Sequence, residues 1–330
     1  MKCLVVGAGS IGKRHLRNLR ALGISDLAVC DSNRDCLIQV NNDLGIKTFS
    51  HLDKALDSFQ PNMVLICTPP MFHIPQALQA VKANAHVFIE KPLSHNLDGV
   101  DNLIAEANSL NRIVQVGYNL RFHPGIQKVK QLVEMNLIGK IIWAQIEFGQ
   151  YLPDWHPNQD YRQVYSAKQL LGGGIILDDS HEVDYVVWFL GQPISLVCMA
   201  GKVSDLDIDV EDCATILLRY KNGAQVDIHM DFVQRGYARS CKLAGEWGTI
   251  KWDYKENCVQ VYQASTNSWE IETYSFNSND MYFEEMKHFL DCVENHKKPL
   301  VDIVQAKIVL EIVMAAKLSA AQCSKEYISL

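Results

Sequence analysis

A glycine pattern near the start of the chain is suited to binding phosphates. The stretch Gly7–Gly12 reads G-x-G-x-x-G and follows the apolar segment Cys3–Val6. In a strand–turn–helix unit the first glycine permits a tight turn, the second lets the backbone approach a pyrophosphate, and the third lets helix and strand pack closely. An ordinary glycine-rich turn is the alternative, but the strand before and the helix after favour a dinucleotide site. The predicted cofactor contacts of this turn are Gly7, Gly9, Ser10, Ile11 and Gly12.

An acidic residue further along indicates which dinucleotide would bind. Asp31 closes the second predicted strand, where a carboxylate accepts hydrogen bonds from ribose hydroxyls and repels a 2′-phosphate. NAD is therefore favoured over NADP. Arg34 lies close by and would accommodate such a phosphate, so it is also a predicted cofactor contact. A helix N-cap is the alternative role for Asp31.

Two more segments follow predicted strands, at the edge where open α/β sheets bind ligands. The first is Cys67–Pro70, where prolines turn the chain away from the strand. His73 then begins a helix. This histidine is predicted to contact the cofactor, and an exposed or helix-capping histidine is the alternative. In the second, Glu90–Pro92, Lys91 would lie beside the nicotinamide, bind the reacting oxygen and stabilise its developing charge. A solvated charged loop is the alternative. The predicted cofactor contacts here are Cys67, Thr68, Pro69, His73, Glu90 and Lys91.

The segment that begins at Gly172 contains a candidate for proton transfer. Its glycines precede a predicted helix that ends at Leu190-Gly191. A neutral histidine with a carboxylate partner, here His181 with Asp184 one helical turn later, is a suitable base near neutral pH. A capping carboxylate and a core histidine are the alternative. One face of the predicted helix presents Asp178, His181, Tyr185 and Trp188.

An aromatic and polar stretch, Tyr151–Tyr165, precedes this segment and has little periodicity. Loops of this kind recognise polyols, because rings cover apolar faces while polar groups fix hydroxyls. An ordered structural loop is the alternative. The residues predicted to bind substrate here are Trp155, His156, Tyr161 and Arg162.

The order of predicted elements indicates two domains. Short apolar strands alternate with helices up to about residue 120, which predicts a doubly wound parallel sheet of the Rossmann type over 1–120. Longer strand-like runs follow, with a hairpin pattern at Lys221–Gly223, so 121–330 is predicted to be an α+β domain with a large, mainly antiparallel sheet. One continuous helix is expected to carry Asp178 and His181.

Composition excludes several classes of protein. The net charge of -7 disfavours binding to nucleic acid or to anionic membranes. No run of about 18 apolar residues predicts a membrane span, and the apolar start is too short for a signal peptide. The ten cysteines include no C-x-x-C pair, so no metal is expected, and free thiols in this number suit the cytoplasm.

Taken together, the motifs resemble those of the Gfo/Idh/MocA family, named after glucose-fructose oxidoreductase and inositol dehydrogenase. The resemblance covers nearly the whole chain and rests on Gly7–His15, Cys67–Pro70, Glu90–Pro92, Gly117–Pro124 and Gly172–Asp184. It implies an open-faced sheet that often joins copies, here into a homodimer or homotetramer. It also implies hydride transfer between nicotinamide and a sugar or polyol.

The resemblance also implies roles for single residues. Lys91 would be the catalytic lysine, His181 the acid/base and Asp178 its companion, with Asn119 near the nicotinamide. Arg121, in the same motif as Asn119, is expected to contact substrate. Asp178 precedes His181 by three positions rather than the family's usual four, which puts its role in doubt. The region from Trp155 to Glu182 resembles a bacterial subgroup linked to surface-glycan sugars, including sialic-acid-like nonulosonates.

The resulting hypothesis is an NAD-dependent oxidoreductase acting on a secondary hydroxyl of a sugar, polyol or sugar derivative, including nucleotide sugars. Lys91 and His181 would handle the oxygen and its proton. The rival is a non-catalytic NAD-binding sensor or scaffold. A third hypothesis is an enzyme that recycles a tightly held cofactor within one catalytic cycle.

Overall fold

The computed structural model describes residues 1–155 and 159–328. The chain forms two compact units. The first unit comprises Met1–Asn119 and Asn279–Lys307, and the second comprises Leu120–Ser278 and Ile308–Leu330. The prediction that all of 121–330 belongs to the second domain is therefore wrong for Asn279–Lys307, because this segment returns to the first unit.

The first unit alternates strands and helices. Its six strands pair only in parallel, in the order β3-β2-β1-β4-β5-β6. The predicted Rossmann class is confirmed. In chain order the elements are β1 (Lys2–Val6), α1 (Ser10–Ala21), β2 (Asp26–Cys30), α2 (Arg34–Leu44), β3 (Lys47–Phe49), α3 (Leu52–Phe59), β4 (Met63–Ile66), α4 (His73–Lys82), β5 (His86–Glu90), α5 (Val100–Ser109) and β6 (Val114–Gly117).

The second unit contains a nine-stranded sheet, in the order β14-β13-β12-β11-β7-β10-β9-β8-β15. Only the β7–β10 pair is parallel, so the predicted mainly antiparallel sheet is confirmed. The remaining elements are α6 (Pro124–Glu134), β7 (Ile141–Gly149), α7 (Ile175–Asp178), α8 (His181–Leu190), β8 (Ser195–Gly201), β9 (Cys213–Arg219), β10 (Gln225–Asp231), β11 (Ala238–Gly245), β12 (Gly248–Asp253), β13 (Cys258–Gln263), β14 (Ser268–Thr273), α9 (Asp280–Asn295), α10 (Ile303–Gln322) and β15 (Lys325–Tyr327).

Short 3₁₀ turns carry several of the candidate residues. They occupy Pro70–Phe72, Asn119–Phe122, Leu152–Asp154, Tyr161–Gln163, Tyr165–Ala167 and Gln169–Leu171.

Helix α9 completes the core of the first unit although it lies far away in sequence. Its apolar face, with Met286, Phe289 and Leu290, packs into the core of the parallel sheet. The ring of Phe289 meets the ring of Phe88 on β5 edge to face at 5.7 Å between centroids. The N-terminal 120 residues therefore do not contain their whole core.

One predicted helix is in fact two. Helix α7 ends at Asp178 and α8 begins at His181. At Asp179 the backbone angles are φ −101° and ψ 34°, which leave the α-helical region. Asp178 and His181 therefore do not share a helical face, and that prediction is wrong. The short elements β3, α3, β14 and β15 were not predicted.

Three further observations concern membrane spans, metal sites and thiols. Among residues 1–155 and 159–328, no helix is long and apolar enough to cross a membrane. In the same ranges, no group of three or more His, Cys, Asp or Glu side chains is arranged to hold a metal ion. All ten cysteines carry free thiols.

Truncating a core residue of α9 tests whether this helix belongs to the first unit. We expect Phe289→Ala to lower the free energy of unfolding by about 3–5 kcal/mol, because a large buried side chain leaves a cavity. Phe72→Ala, which truncates an exposed ring, is the control and should change it by less than about 1 kcal/mol. Denaturant unfolding measures both, and equal small effects would contradict the assignment.

Candidate functional site

The three glycines of the first turn serve different needs. Gly7 has φ +102°, and a Cβ atom there would lie 2.5 Å from the carbonyl oxygen of Cys67. A Cβ atom on Gly12 would lie 1.9 Å from the carbonyl oxygen of Gly7. A Cβ atom on Gly9 would have no atom within 4 Å. The fold therefore demands glycine at 7 and 12, whereas Gly9 leaves open space for a ligand to approach the backbone.

The N-terminus of α1 fits an anion. Its N-cap residue is Gly9, which has no side chain to accept a backbone N–H, and no acidic residue lies in the first turn. The N–H groups at the start of a helix and the helix dipole together favour phosphate oxygens. With the open space at Gly9, this end of α1 fits the predicted pyrophosphate contact.

Asp31 is held beside the glycine turn. Its Oδ2 accepts the N–H of Ala8 at 2.6 Å, and its Oδ1 accepts the N–H of Asn33 at 2.7 Å. The N-cap of α2 is Asn33, whose side chain accepts two backbone N–H groups. Asn33, and not Asp31, therefore caps α2, and the contact of Asp31 with a ribose stays a prediction. Arg34 begins α2 as an exposed side chain.

His73 fastens the two loops at the sheet edge. It is fully buried; its Nδ1 lies 2.9 Å from the carbonyl oxygen of Pro92 and its Nε2 lies 2.7 Å from that of Thr68. Burial lowers the pKa of His73. The predicted cofactor contact is wrong for this side chain, because it has no exposed surface. It positions the loops that carry Cys67 to Pro69 and Lys91.

Glu90 links two elements of the first unit, and its predicted cofactor contact stays a prediction. Its buried carboxylate pairs with Nε2 of His15 at 2.6 Å through Oε1 and accepts the N–H of Lys91 at 3.2 Å through Oε2. His15 lies on α1 and is fully buried. The backbone of Lys91, which precedes a cis peptide bond to Pro92, is thereby tied to the helix with the phosphate-binding end.

Sequence reasoning assigned no role to His15. The spacing of apolar residues could have predicted that His15 is buried, because it falls on the same side of α1 as Gly12, Leu16 and Leu19. A polar residue on the buried face of a helix needs a polar partner.

Asn119, which follows β6, is nearly buried, and its side chain forms a hydrogen bond with Tyr282 of α9.

In the second unit, two carboxylates close to His181 in sequence have different partners. Asp178 accepts a hydrogen bond from the hydroxyl of Tyr165. Asp184 binds the guanidinium of Arg121 through two contacts, at 2.9 and 2.7 Å. Arg121 is thus a partner of both oxygens of Asp184, and the expected pairing of His181 with Asp184 stays a prediction.

Arg121 itself is buried with Asp184, at 2% exposure of its side chain. Its guanidinium also lies 5.3 Å from the ring of Trp188. The geometry gives it an internal role, so its predicted contact with substrate is corrected to a structural pairing.

The glycines before α7 let the chain pass a neighbouring turn. A Cβ atom on Gly173 would lie 2.3 Å from the carbonyl oxygen of Tyr165, and Gly174 has φ +105°. The N–H of Gly174 donates to the carbonyl oxygen of Ser166 at 3.0 Å. This close approach places the Tyr165 side chain against Asp178.

The aromatic loop is anchored within the second unit. Trp155 donates to the carbonyl oxygen of Gln150 at 3.2 Å, and the hydroxyl of Tyr161 accepts the N–H of Asp207. Arg162 is ion-paired with Asp160, which lowers the pKa of that carboxyl. His156 lies outside the described residues. The substrate contacts predicted for this loop stay predictions.

Comparison with protein families matches both parts of the chain. An oxidoreductase family with an NAD-binding Rossmann fold (GFO/IDH/MocA) matches residues 1–118, and the GFO/IDH/MocA C-terminal domain matches residues 126–251. Myo-inositol 2-dehydrogenase of Thermotoga maritima is 31% identical, over 97% of this chain and 96% of that protein. The NAD⁺-dependent scyllo-inositol 2-dehydrogenase of Bacillus subtilis is 26% identical, over 96% and 93%.

Solved structures share the fold across the whole chain. A levoglucosan dehydrogenase in complex with NADH and levoglucosan has a TM-score of 0.90 at 17% identity, with 100% of both chains covered. The WlbA dehydrogenase of Bordetella pertussis, in complex with NADH and UDP-GlcNAcA, has a TM-score of 0.84 at 20% identity, covering 100% of this chain and 99% of that chain.

Alanine at two of the glycines separates ligand binding from folding. We expect Gly9→Ala to change the free energy of unfolding by less than about 1 kcal/mol, since its Cβ has space, but to weaken NAD binding at least about tenfold. Gly12→Ala should instead lower stability by about 1–3 kcal/mol, because its Cβ meets backbone. Calorimetric titration with NAD and denaturant unfolding distinguish the two. Normal NAD affinity in Gly9→Ala would contradict the assignment.

Proposed function

Because the chain belongs to the GFO/IDH/MocA family, and is thus an NAD-dependent oxidoreductase of sugars or polyols, we propose that Lys91 and His181 act on a secondary hydroxyl of its substrate. NAD, when bound, accepts or supplies a hydride at the nicotinamide ring. The inositol dehydrogenases among its relatives make cyclic polyols the first substrates to test. Sugar derivatives, including nucleotide sugars and nonulosonates, are the second class.

The link from α1 to Lys91 is the observation that carries this proposal. The Glu90–His15 pair holds the backbone of Lys91 relative to the helix whose N-terminus fits phosphates. A fixed ammonium group can bind the hydroxyl oxygen and favour its anionic form as the proton leaves. We assign this role to Lys91.

His181 is assigned the proton. It is the first residue of α8 and nearly buried, and a neutral imidazole can accept the proton of a hydroxyl group. Asp178 accepts a hydrogen bond from Tyr165. The two residues would shape the site together, and Asp178 would not act as the partner of His181 on one helical face.

Two other hypotheses make different predictions. A sensor or scaffold binds NAD but turns over no member of a substrate panel. An enzyme that recycles its cofactor converts substrate without releasing NADH, so product must be followed as well as absorbance at the nicotinamide band. A suitable panel contains myo-, scyllo- and D-chiro-inositol, levoglucosan, UDP-GlcNAcA and a nonulosonate.

With the panel member that reacts, we expect Lys91→Ala to lower kcat about 10²- to 10³-fold, because charge on the oxygen loses its stabiliser. NAD affinity should stay within about twofold. Lys54→Ala removes an exposed lysine of the same unit and is the control.

His181→Gln, assayed with the same substrate, should lower kcat by about 10²- to 10⁴-fold. Near-normal turnover in either site variant would remove that residue from the proposal.

We also propose that the open face of the nine-stranded sheet joins copies into a homodimer or homotetramer. Apolar side chains on its adjacent strands β8 and β9 are solvent-exposed: Val197 by 44%, Met199 by 83% and Leu217 by 53%. Val197 and Leu217 are direct neighbours across these strands. A contiguous exposed apolar patch of this kind is typical of an interface.

A charge placed on this patch tests the interface. We expect Met199→Lys/Leu217→Lys to reduce the mass in solution to that of a monomer, 37.3 kDa, because association would bury unpaired ammonium groups. Met135→Lys, at another exposed methionine of the second unit, should leave the assembly intact. Light scattering after size exclusion measures both. An unchanged mass in the double variant would refute an interface at this patch.

A further inference from the structure

The segment from Asp178 to Asp184 concentrates buried charge next to His181. Four of its seven residues are carboxylates, and all four have an exposure of 4% or less. Tyr165 binds Asp178 and Arg121 binds Asp184. The other two carboxylates, Asp179 and Glu182, flank His181 most closely in sequence and both contact the same cation.

That cation is Arg239, on β11. Its Nη2 donates to Oδ1 of Asp179, and its Nε lies 2.9 Å from Oε1 of Glu182. Nη2 also donates to Oε2 of Glu182 at 3.4 Å. The guanidinium lies 4.3 Å from the ring of Phe148 on β7, so two central strands of the sheet hold it.

Arg239 adds a tertiary contact to the start of α8. The side chain of its N-cap residue, Ser180, makes no capping hydrogen bond to the first turn of the helix. Asp179 lies in the turn before His181, and Glu182 lies in the first helical turn after it. Arg239 therefore ties the backbone on both sides of residue 181 to the sheet.

We propose that Arg239 is a positioning residue for the reaction: it fixes the place of His181 and neutralises the two carboxylates beside it, so that the imidazole is free to accept a proton. This inference rests on the role of His181 given under Proposed function. Sequence reasoning could not have found it, since Arg239 stands 57 residues from Glu182 in a strand with no motif.

The electrostatic part of the proposal has a definite sign. Without Arg239, the positive charge paired with Asp179 and Glu182 is lost, and the negative charge near His181 increases. Nearby negative charge favours imidazolium, so the pKa of His181 must rise. A larger fraction of the enzyme would then be protonated at neutral pH and unable to accept the substrate proton. The other ionisable groups of this part of the second unit, which the variants below leave unchanged, are Arg121, Tyr165, Asp178, Asp184, Tyr185 and Tyr237.

A titration of His181 in the NAD-free protein tests this sign without any substrate. Histidine labelled with ¹³C at Cε1 gives one NMR resonance per ring, and His181→Gln assigns the one of interest. We expect Arg239→Met to raise the pKa of His181. The charge-matched variant Glu182→Gln/Arg239→Met, which loses one charge of each sign, should bring that pKa back toward the wild-type value, because the net charge of the cluster is then restored.

Kinetics test the positioning part. For the substrate that reacts, kcat of Arg239→Met should fall about 10- to 100-fold, as expected when a reacting group is displaced by about 1 Å. NAD affinity should stay within about twofold, because the NAD-binding residues belong to the first unit. Arg239→Lys keeps the charge but loses the planar fork, so it should restore the pKa of His181 more fully than kcat.

The outcomes separate this inference from the proposed function. If His181→Gln abolishes turnover while Arg239→Met keeps kcat and the pKa of His181 at wild-type values, Arg239 has no positioning role. If His181→Gln turns over normally, the proposed function fails whatever Arg239 does. Should Arg239→Met not fold, Arg239→Lys and Glu182→Gln carry the test, and wild-type kcat and pKa in both would overturn the inference.

Discussion

The burial of charge is the constraint on which the candidate site depends. A buried carboxylate costs several kcal/mol unless a cation or donor compensates it, and both units resolve this cost with long-range pairs. Glu90 pairs with His15 in the first unit, and Asp184 pairs with Arg121 in the second. Each pair lies beside a residue assigned to the reaction, so the requirement to neutralise buried charge also fixes the backbone of the reactive residue.

The parallel sheet of the first unit explains why the ligand-facing residues collect at one edge. Successive parallel strands present their carboxyl ends together, and the order reverses beside β1, where open sheets bind ligands. The glycine turn follows β1, Asp31 follows β2, and Lys91 follows β5. His73 holds two of the loops at this edge together, and Glu90 ties the backbone of Lys91 to α1.

Local patterns were readable in the sequence, and long-range pairs were not. The glycine spacing, the acidic residue after β2 and the alternation of strands gave the class of fold and the kind of cofactor, since each depends on neighbours within one supersecondary unit. The roles of Glu90, His73 and Arg121 depended on partners that only the folded chain supplies, 75 residues away for Glu90 and 63 for Arg121. The helix break at Asp179 escaped prediction because tertiary pairing overrides helical periodicity there.

The central claim is that this chain moves a hydride from a secondary carbinol carbon of a sugar or polyol. Deuterium tracing tests it most directly. Panel compounds deuterated at their secondary carbinol carbons are incubated with enzyme and NAD⁺, and the nicotinamide ring, released or enzyme-bound, is analysed by NMR and mass spectrometry. The account predicts deuterium at C4 of the nicotinamide with the reactive compound. Conversion of that compound without deuterium in the nicotinamide, or NAD binding without conversion of any compound, would contradict it.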